Sequence, residues 1–152
     1  MFKNFFINSG MGKGKGRLTS FDDALMNSGV GNYNLVRVSS ILPAGCERVE
    51  SVNLNEGEVL HVAYAEITSN FPNEVVSAAV SVGIPKDRTK VGVIMEYSAK
   101  RSEKDTVRIV ENMVKEAMGK RECSIEYIIT SSCEAFSQEN EYVTAFAGLA
   151  MW

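Results

Sequence analysis

The residues with the clearest chemical potential are two adjacent serines, Ser39 and Ser40, in the stretch NLVRVSSILPAG. The Ser40 hydroxyl lies within reach of the Ser39 carbonyl, and its attack there converts the amide into an ester. β-Elimination then releases residues 1–39 with a normal carboxylate and leaves dehydroalanine at position 40, which hydrolysis converts into a pyruvoyl group. A bare serine pair is more typical of a turn or a strand end, and a second pair, Ser131 and Ser132, occurs in the same chain.

The segments around the serine pair read mainly as strands, because apolar residues alternate or run between turn residues. Strands are predicted over residues 33–38, 58–69, 75–85, 90–98, 123–132 and 141–152. The strongest helix signal covers 102–120, where Ser102 can cap the first turn and an apolar stripe follows. Strands that dominate over a few scattered helices predict an α+β sandwich rather than a doubly wound parallel sheet.

The stretch SGMGKGKGRLTS, residues 9–20, combines glycines with cations. No register gives a phosphate-binding pattern such as GxxxxGK[ST] or GxGxxG. We therefore expect a mobile surface loop here, one that could fold over a site. Residues 20–29 then predict a short helix, with Ser20 as its cap and Gly29 at its exit.

Composition limits the class of protein. The chain has 152 residues, of which 45% are hydrophobic and 23% charged, which predicts one globular domain over residues 1–152. A net charge of −3 without a dense basic face makes nucleic acid an unexpected partner. No apolar run approaches the ~20 residues that cross a bilayer, and no signal peptide is apparent, so we expect a cytoplasmic protein without membrane contact. Cys46, Cys123 and Cys133 have no metal-binding spacing and are expected to be free thiols.

Three linked blocks, FDDALMNSGVGNYNLVRVSSILPAG, SAAVSVGIPKD and GVIMEY, closely resemble the pyruvoyl-dependent arginine decarboxylases. That family carries the pattern F-D-x-A-L, G-[IV]-G-N-x-N-L, R-[IV]-S-S-I-[ML]-P and a later I-M-E-Y block. The resemblance covers about residues 18 to 152. It implies self-cleavage between Ser39 and Ser40, giving chains 1–39 and 40–152, with a covalently bound pyruvoyl group derived from Ser40.

The resemblance further implies an activity and an assembly. The activity is decarboxylation of L-arginine to agmatine and carbon dioxide, with the ketone as electron sink and with neither pyridoxal phosphate nor a metal. The implied fold is an αββα four-layer sandwich of mostly antiparallel strands. The implied assembly is a homotrimer of processed protomers, or a dimer of trimers, with active sites between subunits.

The family's site residues fall on matching positions. Asn34 corresponds to the asparagine that assists cleavage, although an asparagine at a strand entry can also be a turn residue. Glu96 corresponds to the proton-transferring glutamate, and its apolar neighbours are consistent with a desolvated carboxyl. Asp22 corresponds to the aspartate that holds the substrate guanidinium, although an acid there would also suit a helix N-terminus. The positions that line the pocket are Leu18, Leu25, Gly31, Tyr33 and Ile41.

Two other functions remain open from the sequence. The same chemistry could act on another amino acid, because Asp22 and Tyr33 set the substrate pocket. Alternatively, the chain could be an unprocessed trimeric scaffold in which the bond between Ser39 and Ser40 is never cut. The number of chains after purification distinguishes the scaffold from both enzymes, and the amino acid consumed distinguishes the enzymes from each other.

Overall fold

The computed structural model describes residues 1–152 and contains nine strands and two helices, which confirms the predicted α+β class. In chain order the elements are β1 (Asn4–Gly14), α1 (Arg17–Asn27), β2 (Asn34–Arg37), β3 (Ile41–Leu42), β4 (Glu47–Arg48), β5 (Val59–Ser69), β6 (Val75–Pro85), β7 (Gly92–Ala99), α2 (Glu103–Lys120), β8 (Ile125–Phe136) and β9 (Tyr142–Met151). Neither helix has both the length and the apolar character that a transmembrane span requires.

The strands form one mixed sheet and one antiparallel sheet. The five-stranded sheet has the order β2-β5-β9-β1-β4, and the four-stranded sheet has the order β3-β7-β6-β8. The two short strands at the edges of the larger sheet, β2 and β4, pair parallel with their neighbours, and every other pair is antiparallel. The strands predicted over 75–85 and 90–98 correspond to β6 and β7, which are antiparallel neighbours joined by a short turn and so form a hairpin.

The two sheets pack face to face, and each helix covers an outer face. Small and branched side chains from both sheets, such as Val80, Ile94 and Ala147, fill the layer between them. Leu25 of α1 packs with Phe146 on the outside of the five-stranded sheet. Val114 of α2 packs on the outside of the four-stranded sheet. Because the sheets bury both faces, β6 is buried at almost every position even though its sequence alternates.

The prediction of a mobile loop over residues 9–20 is wrong. Residues 4–14 form β1, which lies inside the five-stranded sheet between β9 and β4. Gly10, Gly12 and Gly14 alternate with larger residues and so point to one face, against which α1 packs closely. A Cβ atom at Gly12 would lie only 2.1 Å from the backbone nitrogen of Ala24. The glycines therefore allow helix α1 to approach strand β1 closely. In the sequence alone, the same glycines look like the composition of a loop.

The predicted helix over 20–29 has a different start. Helix α1 begins at Arg17, and Gly16 rather than Ser20 is the residue at its N-cap. Ser20 is buried within the helix, where its hydroxyl lies 2.8 Å from that of Thr144 on β9. The predicted exit at Gly29 is correct, since this residue has φ +82° in the left-handed region that glycine adopts readily. The cap of α2 is also confirmed, because Ser102 accepts a hydrogen bond from the Asp105 amide.

Candidate active site

The serine pair lies where the chain crosses from one sheet to the other. The amide of Val38, just after β2, donates to the carbonyl of Val62 on β5 at 3.1 Å and so extends the larger sheet. Two residues later the carbonyl of Ser40 accepts from the amide of Ile94 on β7 at 2.8 Å, and β3 then joins the smaller sheet. The linkage between Ser39 and Ser40 is therefore anchored on both sides by different sheets.

The peptide group between Ser39 and Ser40 does not join the backbone hydrogen bonds of either sheet. Neither the carbonyl of Ser39 nor the amide of Ser40 takes part in a backbone hydrogen bond within the chain. Ser39 is exposed and Ser40 is half-buried, so this bond lies at the rim of the sandwich rather than in its core. The arrangement leaves the Ser39 carbonyl open to attack while the flanking residues hold its position.

Glu96 lies two residues beyond Ile94 on β7 and faces the same side, towards the five-stranded sheet. It is a half-buried carboxyl at the rim of the layer between the sheets, where one of its oxygens lies 4.0 Å from the Arg37 guanidinium. Burial raises the pKa of the Glu96 carboxyl, and the positive charge of Arg37 opposes that rise. Desolvation, which the apolar neighbours of Glu96 predict, is thus the main cause of the raised pKa.

Arg37 was not identified from the sequence. It is the last residue of β2, two positions before Ser39, and its guanidinium donates to the carbonyl of Tyr64 at 2.8 Å. The same guanidinium lies over the Tyr64 ring, 4.6 Å from its centroid. The available signal was a single arginine within the apolar run Val36–Val38, immediately before the serine pair, but its partners lie on other strands.

Asn34 lies at the opposite end of β2 from the serines. Its side-chain amide donates to the carbonyl of Gly57 at 2.6 Å. Ser39 is five positions after Asn34, a span of about 16 Å for an extended chain at the usual rise of a strand. A single chain therefore does not bring the Asn34 amide to its own Ser39 carbonyl.

The two neighbouring aspartates of α1 differ in their surroundings. A carboxylate oxygen of Asp23 accepts the backbone amide of Lys13 at 2.9 Å and so fastens α1 to the end of β1. Asp22 is exposed, and its carboxylate makes no hydrogen bond or ion pair within the chain. Of the two acids, Asp22 is the one whose oxygens remain available to an external cation.

The predicted pocket residues fall into separate groups. Leu18 is 76% exposed and lines a shallow hollow with Phe21 and Glu66, whereas Leu25 is buried beneath α1. Gly31 and Tyr33 line a second hollow after the helix, and the Tyr33 hydroxyl donates to the carbonyl of Leu54.

Ile41 lies with the serines at the sheet crossing, paired with Val93. One chain thus brings Ser40, Ile41 and Glu96 together at the rim of the sandwich. Asp22 and Leu18 lie instead on the outer helix layer.

Comparison with known proteins identifies the class to which this sandwich and its serine crossing correspond. The chain matches the model of the pyruvoyl-dependent arginine decarboxylases over residues 4–152. It is 39% identical over 144 residues to the pyruvoyl-dependent arginine decarboxylase of Methanocaldococcus jannaschii, covering 95% of this chain and 86% of that protein.

Two further relatives carry the same name. The protein of Methanococcus aeolicus is 40% identical, over 95% of this chain and 86% of its own. The protein of Thermococcus kodakarensis is 38% identical, over 78% of this chain and 76% of its own. The chain belongs to the pyruvoyl-dependent arginine decarboxylase family, as the sequence motifs indicated.

Proposed function

We propose that this chain cuts itself between Ser39 and Ser40 and then decarboxylates L-arginine to agmatine and carbon dioxide. The observation that carries the proposal is the serine pair held between the two sheets, with the half-buried Glu96 on the strand beside it. Family membership supports arginine as the substrate.

The cleavage chemistry uses the chain's own atoms. The Ser40 oxygen attacks the Ser39 carbonyl, the C–N bond breaks, and an ester replaces the amide. Loss of the Ser40 α-proton then expels residues 1–39 as a carboxylate and leaves dehydroalanine. Addition of water and release of ammonia give the pyruvoyl group, which supplies the electron sink for decarboxylation.

The crossing fits such a group. The carbonyl of Ser40 is already held by the amide of Ile94, so the new terminus keeps its attachment to β7 after residue 39 departs. The neighbouring residues of the same strand then flank the reacting centre. Glu96 is our candidate donor of a proton to the former α-carbon, and burial supports this role because it raises the pKa of the carboxyl and so favours the protonated form.

Substrate binding is assigned to α1. The free carboxylate of Asp22 can receive the planar guanidinium of arginine with two parallel hydrogen bonds, which fixes orientation as well as energy. Leu18 lies on this helix and Gly31 and Tyr33 follow it in the chain, and the three residues line hollows beside it. Holding the distant end of the substrate fixes its carboxylate relative to the ketone, so binding energy is used for positioning.

We propose that the site is completed between subunits of a homotrimer, or of a dimer of trimers. Asp22 lies on the outer helix layer and Ser40 at the rim between the sheets, which favours a site shared by two copies. Asn34 is likewise too far along β2 to serve its own Ser39, so a neighbouring subunit is its candidate partner in cleavage. Val36 and Val59 are exposed apolar residues on this edge and are available to an interface.

We also propose a cytoplasmic location, which three free cysteines favour.

Denaturing electrophoresis and intact mass test the cleavage. We expect two fragments, 1–39 and 40–152, the second blocked by a keto group instead of an amine. Ser40→Ala should remain one chain, whereas Ser131→Ala, in the other serine pair, should be cut normally. A single unmodified chain after prolonged incubation of the parent protein would leave only the scaffold alternative.

Agmatine release tests the substrate. The purified protein is offered each amino acid in turn, and the product amine and carbon dioxide are measured. We expect turnover of arginine that a carbonyl-blocking reagent abolishes. Equal or faster turnover of another amino acid would keep the chemistry and overturn the assignment of Asp22.

A further inference from the structure

The cation beside Glu96 is itself rigidly held. The Arg37 guanidinium donates to the Tyr64 carbonyl at 2.8 Å and stacks over the Tyr64 ring at 4.6 Å. Tyr64 is in turn packed against Phe146 and Phe21 beneath α1, with ring centroids 5.4 and 6.4 Å away. A planar guanidinium that stacks and donates at once has a defined orientation, which a lysine ammonium would lack.

The other groups around Glu96 form no ion pair with it. On β6, the residue paired with Glu96 is Val80, which is fully buried in the core. On β7 itself, Tyr97 faces the opposite side. Across the layer, β5 presents Ala63, Ala65 and His61, whose ring contacts Phe2, whereas Tyr64 and Glu66 face α1 on the outer side of the sheet. The Arg37 contact at 4.0 Å is the only ion pair that Glu96 makes within the chain.

We propose that Arg37 is a positioning residue for this reaction, which places a fixed positive charge beside the Glu96 carboxyl. The inference rests on the proposed role of Glu96 in proton delivery. It adds a specific consequence, because Arg37 belongs to residues 1–39 and Glu96 to residues 40–152. After cleavage the small fragment still supplies the charge that controls the acid carried by the large one.

The charge opposes the effect of burial on Glu96. Desolvation raises the pKa of Glu96, and the guanidinium lowers it. A substitution that removes the guanidinium but keeps an unbranched apolar side chain should therefore leave the effect of burial on the Glu96 pKa unopposed. In Arg37→Met the titration of Glu96 is expected at higher pH than in the parent protein, and the matching limb of the pH–rate profile should move in the same direction.

The experiment compares three substitutions in the processed protein. Arg37→Met removes the charge and Arg37→Lys keeps it on a flexible stem, so we expect a smaller shift with lysine. Arg108→Met is the matched control, since Arg108 pairs with Asp105 on the exposed face of α2. The Glu96 carboxyl is followed by NMR with ¹³C-labelled glutamate and assigned by its loss in Glu96→Gln. Agmatine release is measured on the same samples, and denaturing electrophoresis reports the extent of cleavage.

The outcomes separate this inference from the proposed function. An upward shift of the Glu96 titration in Arg37→Met, with none in Arg108→Met, supports the inference. An unchanged titration overturns it, whether or not arginine is consumed. A shift in a protein that never releases agmatine would uphold the pairing and reject the proposed function. If Arg37→Met does not fold, Arg37→Gln decides in its place, because it also removes the charge: an unchanged Glu96 titration in that variant overturns the inference.

Discussion

The two adjacent carboxylates of α1 have different roles: one stabilises the fold and the other is proposed to bind the substrate. Asp23 is used within the fold, while Asp22 has no partner in the chain. We expect Asp22→Asn to lower kcat/KM for arginine by roughly 10- to 100-fold, since a hydrogen bond to a charged group contributes about 1.5–3 kcal/mol. Asp23→Asn is the matched control and should change kcat/KM only a few-fold. Steady-state kinetics at one pH provide the comparison, and equal losses in both variants would contradict the assignment.

The raised pKa of Glu96 predicts that the stability of the protein depends on pH. Burial raises the pKa of its carboxyl above the ordinary value, despite Arg37. Between the ordinary and the raised pKa, the folded protein holds a proton that the unfolded chain has released, so stability falls as the pH rises through that window. A glutamine never ionises, so the free energy of unfolding of Glu96→Gln should rise relative to that of the parent as the pH increases through this window. Below the window, the difference in the free energy of unfolding between the two proteins should be constant.

Urea unfolding at a series of pH values measures this difference. Both proteins carry Ser40→Ala, so that each remains a single chain, and both are compared at one protein concentration because an oligomer's stability depends on it. A difference in the free energy of unfolding that stays the same at every pH would show that Glu96 has equal pKa values in the folded and unfolded states.

The site was predictable from sequence where its causes are local. The apolar neighbours of Glu96 indicated a desolvated carboxyl because they adjoin it in the chain. The run of Val36 to Val38 before the serines indicated a strand that ends there. Arg37 was missed because its function depends on Tyr64 and Glu96, which only the packing of the two sheets brings near it.

At the scale of elements, the contact between β1 and α1 depends on glycine. A methyl group at Gly12 would collide with the backbone of Ala24 and Ser20, which cannot move without displacing the helix. We expect Gly12→Ala to destabilise the protein by about 1–3 kcal/mol or more. Gly119→Ala is the control, because nothing lies within 4 Å of a Cβ atom there and alanine favours a helix.

Thermal or urea unfolding of the two glycine variants checks this prediction. Gly119→Ala should be neutral, or more stable by up to about 1 kcal/mol. Because α1 carries Asp22, a displaced helix in Gly12→Ala should also raise KM for arginine. Equal stability of Gly12→Ala and the parent would mean that the close approach of strand and helix is not required.

The sequence predicts an element well when the signals for that element are local in the chain. Helix α2 was predicted almost to its ends, because its cap at Ser102 and its apolar stripe are both local signals. The loop predicted over residues 9–20 includes the second half of strand β1, because the glycines there are explained only by a helix that packs across them. Sheet order was beyond the sequence for a related reason. β1 pairs with β9 at the far end of the chain, and the pairing leaves no local pattern.

At the scale of the whole molecule, the proposed cut divides the five-stranded sheet between two fragments. Residues 1–39 contain β1, α1 and β2, whereas β5, β9 and β4 belong to residues 40–152. β1 lies inside that sheet, where residues 5–14 pair one by one with β9. Phe5 and Ile7 extend from β1 into the core between the sheets. The small fragment is thus part of the hydrophobic core, and its removal would leave β9 as an open edge.

We therefore expect the two fragments to remain associated after cleavage without any covalent bond. Gel filtration in native buffer should give one peak that contains both fragments, at the elution volume of uncut Ser40→Ala, while denaturant should separate them. The 40–152 fragment refolded alone should not recover the native circular dichroism, because it lacks a central strand and the helix that covers it. Loss of residues 1–39 during gel filtration in native buffer would contradict this prediction, and would also separate Arg37 from the Glu96 it faces.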